Sequence, residues 1–230
     1  MPLKTLRCLN FLHNILTMIV TELSKGIKLY LLVGGRGTRL LSITNGAPKP
    51  MVDVNGVPFI QRVLDNLSGF DITLVCSDLN YEYFKDLGVD VFNEGEPSGT
   101  AGFLRKVDLP ESFYVMNGDT FFSGDMNLDC DESTIFVAEE NVTHDVGYIQ
   151  GKDGKVEYFV EKDIGAWGKK LVSLGVYKLY RNEIEIPNML PISMEYDILP
   201  KMELSYKIIK TDRFDIGTPE RLEKFREWVC

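Results

Sequence analysis

"IKLYLLVGGRGTRLLSITNGAPKP", residues 27–50, begins as an apolar, β-rich run and breaks at Gly34-Gly35 into a loop of glycines and basic residues. A short apolar run that ends in glycine is the pattern of a strand buried in a parallel sheet. From Lys28 to Val52 the chain carries Lys28, Arg36, Arg39 and Lys49, and no Asp or Glu appears before Asp53. The chain as a whole has a formal net charge of −9. A basic loop in an acidic protein predicts a small polyanion held by a few directed groups. Glycines let backbone N–H groups approach phosphate oxygens, Arg39 can fork onto a phosphate, and Lys49 is held rigidly between Pro48 and Pro50.

Two familiar phosphate loops do not fit. No Gly-Lys-Ser/Thr closes the segment, so it is not a Walker A motif, and Leu40 stands where the dinucleotide fingerprint needs its third glycine. The second strand also ends at Cys76-Ser77, without the acidic residue that an NAD ribose requires there.

The 230 residues, 44% hydrophobic and 26% charged, suit one soluble globular domain. The acidic balance argues against nucleic acid, whose backbone calls for a broad basic surface. Cys8, Cys76, Cys130 and Cys230 are scattered without a CxxC pair, which predicts free thiols and a cytoplasmic location. Only His13 and His144 are present, so catalysis must lean on carboxylates, lysine, arginine and backbone amides. Residues 1–26 have a basic start and Leu6, Leu9, Leu12 and Leu16 at helical spacing. They are expected to form a helical extension, too short to span a bilayer and followed by no small-residue cleavage site, with Met18 available as an alternative start.

Between residues 27 and 130, strand and helix patterns alternate: "PFIQRVLDNL" places Phe59, Ile60, Val63, Leu64 and Leu67 on one helical face, and "DITLVCS" and "SFYVMNGD" read as buried strands. Beyond 130 the strands lengthen, Asp153-Gly154 reads as a hairpin turn, and Thr218-Pro219 starts a closing helix. The fold expected for residues 27–230 is a single α/β domain with a mostly parallel, Rossmann-like central sheet and helices on both faces. No hexapeptide repeat is present to append a C-terminal β-helix.

The stretch "GGRGTRLLSITNGAPKPM" resembles the signature of the sugar-1-phosphate nucleotidyltransferases, G-G-x-G-T-R-L followed by P-K-P-M/L. The resemblance continues at "EGEPSGTAGFL" (94–104), "NGDTFF" (117–122), "VEK" (160–162) and "FDIGTPERL" (214–222), covering nearly all of 27–230 in the family's order. It implies an NTP-binding enzyme in which the phosphate of a sugar 1-phosphate attacks the α-phosphorus of an NTP and pyrophosphate leaves, with Mg²⁺ as cofactor. By the same resemblance Gly34, Gly35, Gly37, Thr38 and Asn117 bind nucleotide, and Gly99, Thr100 and Ala101 face its base and ribose. Arg39 and Lys49 are the catalytic cations, and Asp119 and Asp215 hold the metal. Lys162 would hold the sugar phosphate, Glu161 and Glu195 would accept hydrogen bonds from sugar hydroxyls, and Gly147 and Gly175 would let the ring lie against the backbone.

Two segments depart from the family pattern, both on the sugar side. Glu161-Lys162-Asp163 replaces the frequent E-K-P, and Ser173-Leu174-Gly175 replaces N-A-G. The resemblance leans to the compact branch that uses GTP with heptose or mannose 1-phosphate. Glucose 1-phosphate with dTTP or UTP, phosphocholine with CTP, and a non-catalytic nucleotide-sugar sensor are the alternatives. A homo-oligomer is left open.

Overall fold

The computed structural model describes residues 26–35, 40–124, 126–142, 147–160 and 167–230. The expected N-terminal helix lies outside the described residues. In chain order the elements are β1 (Lys28–Leu32), α1 (Leu41–Thr44), β2 (Asp53–Val54), β3 (Val57–Pro58), α2 (Phe59–Asn66), β4 (Asp71–Cys76), α3 (Tyr81–Phe84) and β5 (Asp90–Asn93). They continue with β6 (Ser112–Asn117), β7 (Thr120–Ser123), β8 (Thr134–Val142), β9 (Tyr148–Lys152), β10 (Lys155–Val160), β11 (Gly168–Tyr180), β12 (Ser205–Ile208), β13 (Asp212–Asp215) and α4 (Pro219–Trp228).

Nine strands form one sheet in the order β5-β4-β1-β6-β11-β8-β12-β10-β9. The first four run parallel, as the alternation of apolar runs and helices predicts. The remainder is mixed: β11 is antiparallel to both β6 and β8, and β12 is parallel to β8. The expectation of a mostly parallel sheet therefore holds only for the N-terminal half. Beyond residue 130, among the described residues, only β9 and β10 are joined by a tight hairpin, which permits only an antiparallel partner, while β11 enters between β6 and β8 against the direction of both. Asp153 and Gly154 supply such a turn between β9 and β10, with φ of 50° and 81°.

The central strands of the sheet are buried on both faces, and their side chains alternate between two cores. Leu29, Leu31, Tyr114 and Met116 enter one, while Tyr30, Phe113 and Val115 enter the other. The first core is covered by α2, through Phe59, Ile60, Val63 and Leu64, and by α4, through Leu222 and Phe225. The second is covered by a 3₁₀ turn at Gly102–Arg105 and by a π-helical turn at Met194–Ile198 that runs into a further 3₁₀ turn. Helices on both faces are thus reduced to single turns on one side. Phe103, Leu104, Met194, Ile198 and Leu199 still bury that face, so the hydrophobic requirement is met without a long helix.

Candidate functional site

At the carboxyl ends of the parallel strands lies a cavity of about 420 Å³, the place where open α/β sheets receive ligands. Leu32, Gly34 and Gly35 line it as β1 runs out, as do Asn117, the last residue of β6, and Asp119 just beyond it. Glu94, Gly99, Thr100 and Glu195 form another part of its wall. Gly99 sits at φ +90°, and a Cβ there would come within 2.2 Å of the Ile192 carbonyl oxygen. Ala101 N–H donates to that same carbonyl and Ile192 N–H to Ser98 O, each at 2.9 Å. A side chain at residue 99 would break this ladder.

The wall is braced by hydrogen bonds. Thr100 Oγ1 accepts from Met194 N–H at 2.7 Å and donates to Glu195 Oε2 at 3.1 Å. Ser193 Oγ donates to the same carboxylate oxygen at 3.1 Å. Glu94 is held by its backbone N–H to Cys76 O at 2.8 Å, and its carboxylate accepts a short hydrogen bond from Ser98 Oγ.

Two carboxylates meet beside this cavity. β13 pairs with β7 so that Asp215 stands opposite Thr120, and Ile216 N–H donates to Asp119 O at 3.1 Å. Residues distant in sequence are thereby brought to one strand end. Lys49, on the 3₁₀ turn that Pro48 introduces, places Nζ 2.6 Å from Asp119 Oδ2. Asp215 receives Arg221 Nη1 at 2.7 and 3.0 Å on its two oxygens and Gly217 N–H at 3.0 Å. Burial pushes the Asp215 carboxyl up, but the Arg221 guanidinium and the Gly217 N–H outweigh it and hold it below its ordinary value.

A Cβ added at Gly217 would lie 2.8 Å from Asp215 Oδ1 and 3.9 Å from Lys49 Nζ. Both acid–base pairs therefore converge on one small space. Asp119 and Asp215 are hard oxygen donors of the type Mg²⁺ takes. Among the described residues no group of three or more His, Cys, Asp or Glu is assembled. The donor set thus fits a Mg²⁺ held by one or two carboxylates and completed by phosphate oxygens and water.

Seven of the residues singled out from sequence converge on the cavity: Gly34, Gly35, Gly99, Thr100, Asn117, Asp119 and Glu195. Glu195, expected on the sugar side, shares this cavity with the nucleotide-side residues. Gly175, at φ +67°, would drive a Cβ to 2.4 Å from Asn117 Nδ2, so it backs the Asn117 side chain directly. Gly147 lies outside this lining, and its carbonyl accepts from Ser173 N–H at 2.9 Å. Ala101 corrects the expectation: it is fully buried among Phe103, Leu104 and Ile192 and does not line the cavity. Gly37, Thr38, Arg39, Glu161 and Lys162 lie outside the described residues. Sequence reasoning gave no role to Glu94 or Arg221, although both stand inside quoted motifs. Their signal was a charged side chain at a motif position, which without coordinates cannot be told from a solvated one.

The architecture is that of the NTP transferase class, and a sequence-family model for the MobA-like NTP transferase domain matches residues 29–126. The chain is 32% identical over 214 residues to the D-glycero-alpha-D-manno-heptose 1-phosphate guanylyltransferase of Campylobacter jejuni subsp. jejuni, an alignment covering 83% of this chain and 94% of that protein. It is 31% identical over 224 residues to a probable mannose-1-phosphate guanylyltransferase 3 of Oryza sativa subsp. japonica, covering 84% of this chain but only 62% of that longer protein. The crystal structure of HddC from Yersinia pseudotuberculosis superposes with a TM-score of 0.73 at 31% identity, covering 89% of this chain and all of that one. HddC has also been solved in complex with GMP-PN. The chain belongs to the sugar-1-phosphate nucleotidyltransferase family.

Proposed function

We propose that residues 27–230 form a catalytic domain that transfers a guanylyl group from GTP to heptose or mannose 1-phosphate in the cytoplasm. The observation that carries the choice of base is Glu94, which lines the cavity together with Gly99 and Thr100. Guanine offers two adjacent donors, N1–H and N2–H₂, that one carboxylate can accept together. Thymine and uracil offer a single N–H between two carbonyls, which a carboxylate would repel. The guanylyltransferase relatives from Campylobacter and rice support the same base.

The Rossmann-like parallel half receives the NTP, with Gly34, Gly35, Gly37 and Thr38 assigned to the nucleotide. An oxygen of the sugar 1-phosphate attacks the α-phosphorus, the bond from that phosphorus to the bridging oxygen breaks, and pyrophosphate leaves with the electron pair. Lys49 and Arg39 offset the negative charge that builds at the α-phosphate. Asp119 and Asp215 hold Mg²⁺, which when bound supplies charge neutralisation between the two anionic substrates. Lys162 holds the sugar phosphate, and Glu161 and Glu195 accept hydrogen bonds from sugar hydroxyls. Among the described residues no helix is long and apolar enough to cross a membrane.

A pyrophosphate-release assay tests this reading. Each NTP, with dTTP included, is paired with a panel of sugar 1-phosphates and phosphocholine, with and without Mg²⁺. Turnover confined to GTP with heptose or mannose 1-phosphate, and only with metal, is expected. Preference for dTTP, UTP or CTP would reject the assignment of the base. Binding without turnover across the panel would favour the sensor.

A further inference from the structure

Asp215 already has a cation. Arg221 Nη1 touches both of its oxygens, and Asp119 is similarly occupied by Lys49. Two carboxylates and two cations surround the space next to Gly217, so the pair carries no net charge as it stands. A divalent cation arriving alone would meet two positive charges and would have to displace one or both from their carboxylates. A triphosphate changes that balance, because its oxygens give the displaced cations new partners.

The placement of Arg221 is imposed by its helix. Thr218 Oγ1 caps α4 by accepting from Arg221 N–H at 3.4 Å. One turn later Phe225, fully buried, packs against Phe59 and Phe121 with ring centroids 5.2 and 5.1 Å away. Residues four apart share a helix face, so anchoring Phe225 directs Arg221 toward Asp215. The contact itself is of the weaker sort. A single nitrogen spans both oxygens, whereas a strong arginine fork uses two nitrogens in parallel. A second cavity, of about 570 Å³, opens beside Asp215 and is lined by Arg221 and Lys224, so the guanidinium has room to swing aside. Arg213, which lines the same cavity, is tied to Glu140 at 3.0 Å, and its charge adds to that of Arg221 in holding the Asp215 carboxyl low.

We propose that Arg221 is a displaceable counter-ion that keeps Asp215 from holding a divalent cation until the nucleotide triphosphate arrives. Arg221 is a positioning residue, and it makes metal entry conditional on nucleotide. The inference rests on the reading of Asp119 and Asp215 as the metal ligands.

The test uses the full chain with Mn²⁺ as a paramagnetic probe, free ion being read by its spin-resonance signal. Without nucleotide, the wild type should bind Mn²⁺ weakly, R221Q about tenfold or more tightly, and R221K close to the wild type. Adding D215N to R221Q should erase the gain. In the wild type, the Arg221 guanidinium ¹⁵N resonance should move on adding Mg²⁺ with a non-hydrolysable GTP analogue, and stay put with Mg²⁺ alone. An R221Q affinity equal to wild type, while D215N still weakens Mn²⁺ binding in the nucleotide complex, would overturn the lock and leave the metal site standing. A nucleotide complex whose Mn²⁺ affinity ignores both D215N and D119N would overturn the metal site and the lock with it. The resonance measurement decides the matter by itself should R221Q fail to fold.

Discussion

Lys49 Nζ and Asp119 Oδ2 lie 2.6 Å apart across 70 residues of sequence, joining the turn after the basic loop to the end of β6. The pair ties the loop that precedes it to the proposed metal site, so its two halves should fail in different ways. Asp119→Asn keeps the shape and removes a charge from the metal site, and kcat should fall by roughly 10² or more. The side chain of Asp119 is 41% exposed, so stability should change by less than about 1 kcal/mol. Steady-state kinetics beside a thermal melt will separate the two. An unchanged kcat would remove Asp119 from the reaction.

Glu94→Gln is the sharpest probe of the base. Glutamine keeps the volume but replaces one acceptor oxygen with an N–H₂ donor that faces guanine's own donors. Specificity for GTP, as kcat/KM, should drop by roughly 10- to 100-fold, because a pocket built to accept two hydrogen bonds is left with a mismatched polar contact. The loss should be specific to GTP, and competition among the NTPs in one pot will show it. Equal losses for every NTP would mean that Glu94 shapes the wall without reading the base.

Gly99→Ala and Gly175→Ala both force alanine into positive φ, yet their consequences should diverge. At residue 99 the new Cβ meets the Ile192 backbone, which cannot move without breaking the Ala101 and Ser98 hydrogen bonds. Denaturant titration should show a loss of about 2–4 kcal/mol. At residue 175 the new Cβ meets the end of the Asn117 side chain, which can rotate away into the cavity. That variant should lose only about 1–2 kcal/mol. Its KM for the nucleotide should rise several-fold, because a displaced Asn117 intrudes on the nucleotide's space.

Local signals carried the architecture where the hydrophobic pattern was strong. Leu29, Tyr30 and Leu31 read as a strand buried on both faces, and they divide between two cores. All five apolar residues picked from "PFIQRVLDNL" are buried, and Thr218-Pro219 starts the last helix. What was not legible depends on contacts between distant segments. The motif resemblance paired Asp215 with Asp119, but no local pattern reveals that β13 will lie against β7 to deliver it there. The segments that cover the second core, "GTAGFLRKV" and "MEYDILPKM", read as helical from sequence, and they fold as single helical turns rather than as longer helices. Ala101 misled because a small residue in a ligand loop looks the same whether it lines a cavity or packs beneath it. Arg221 gave no sign of its partner, since the pairing exists only once α4 is docked.

Cys76 and Cys230 should behave as opposite thiols in one chain. Cys76 is fully buried at the end of β4, where burial, with Glu94 and Asp78 adding to it, pushes the thiol up from 9.0 to about 11. Cys230 is exposed, its sulfur 3.2 Å from Asn55 Nδ2. Iodoacetamide at pH 8 should label Cys230 readily and leave Cys76 intact until denaturant is added, as peptide mass mapping will show. Raising the pH from 8 to 10 should still leave Cys76 unlabelled in the folded chain. The same shift sets a pH dependence of stability. The folded chain keeps the Cys76 proton up to about 11, while the unfolded chain releases it from 9.0 upward. The unfolded state then binds fewer protons, so this contribution is fully present below pH 9 and is lost as pH rises from there toward 11. Urea midpoints should therefore fall across that window in the wild type and fall less steeply in Cys76→Ala, whatever the absolute cost of the truncation. Parallel slopes for the two proteins would show that the thiol titrates normally and that its burial is looser than the packing around β4 implies.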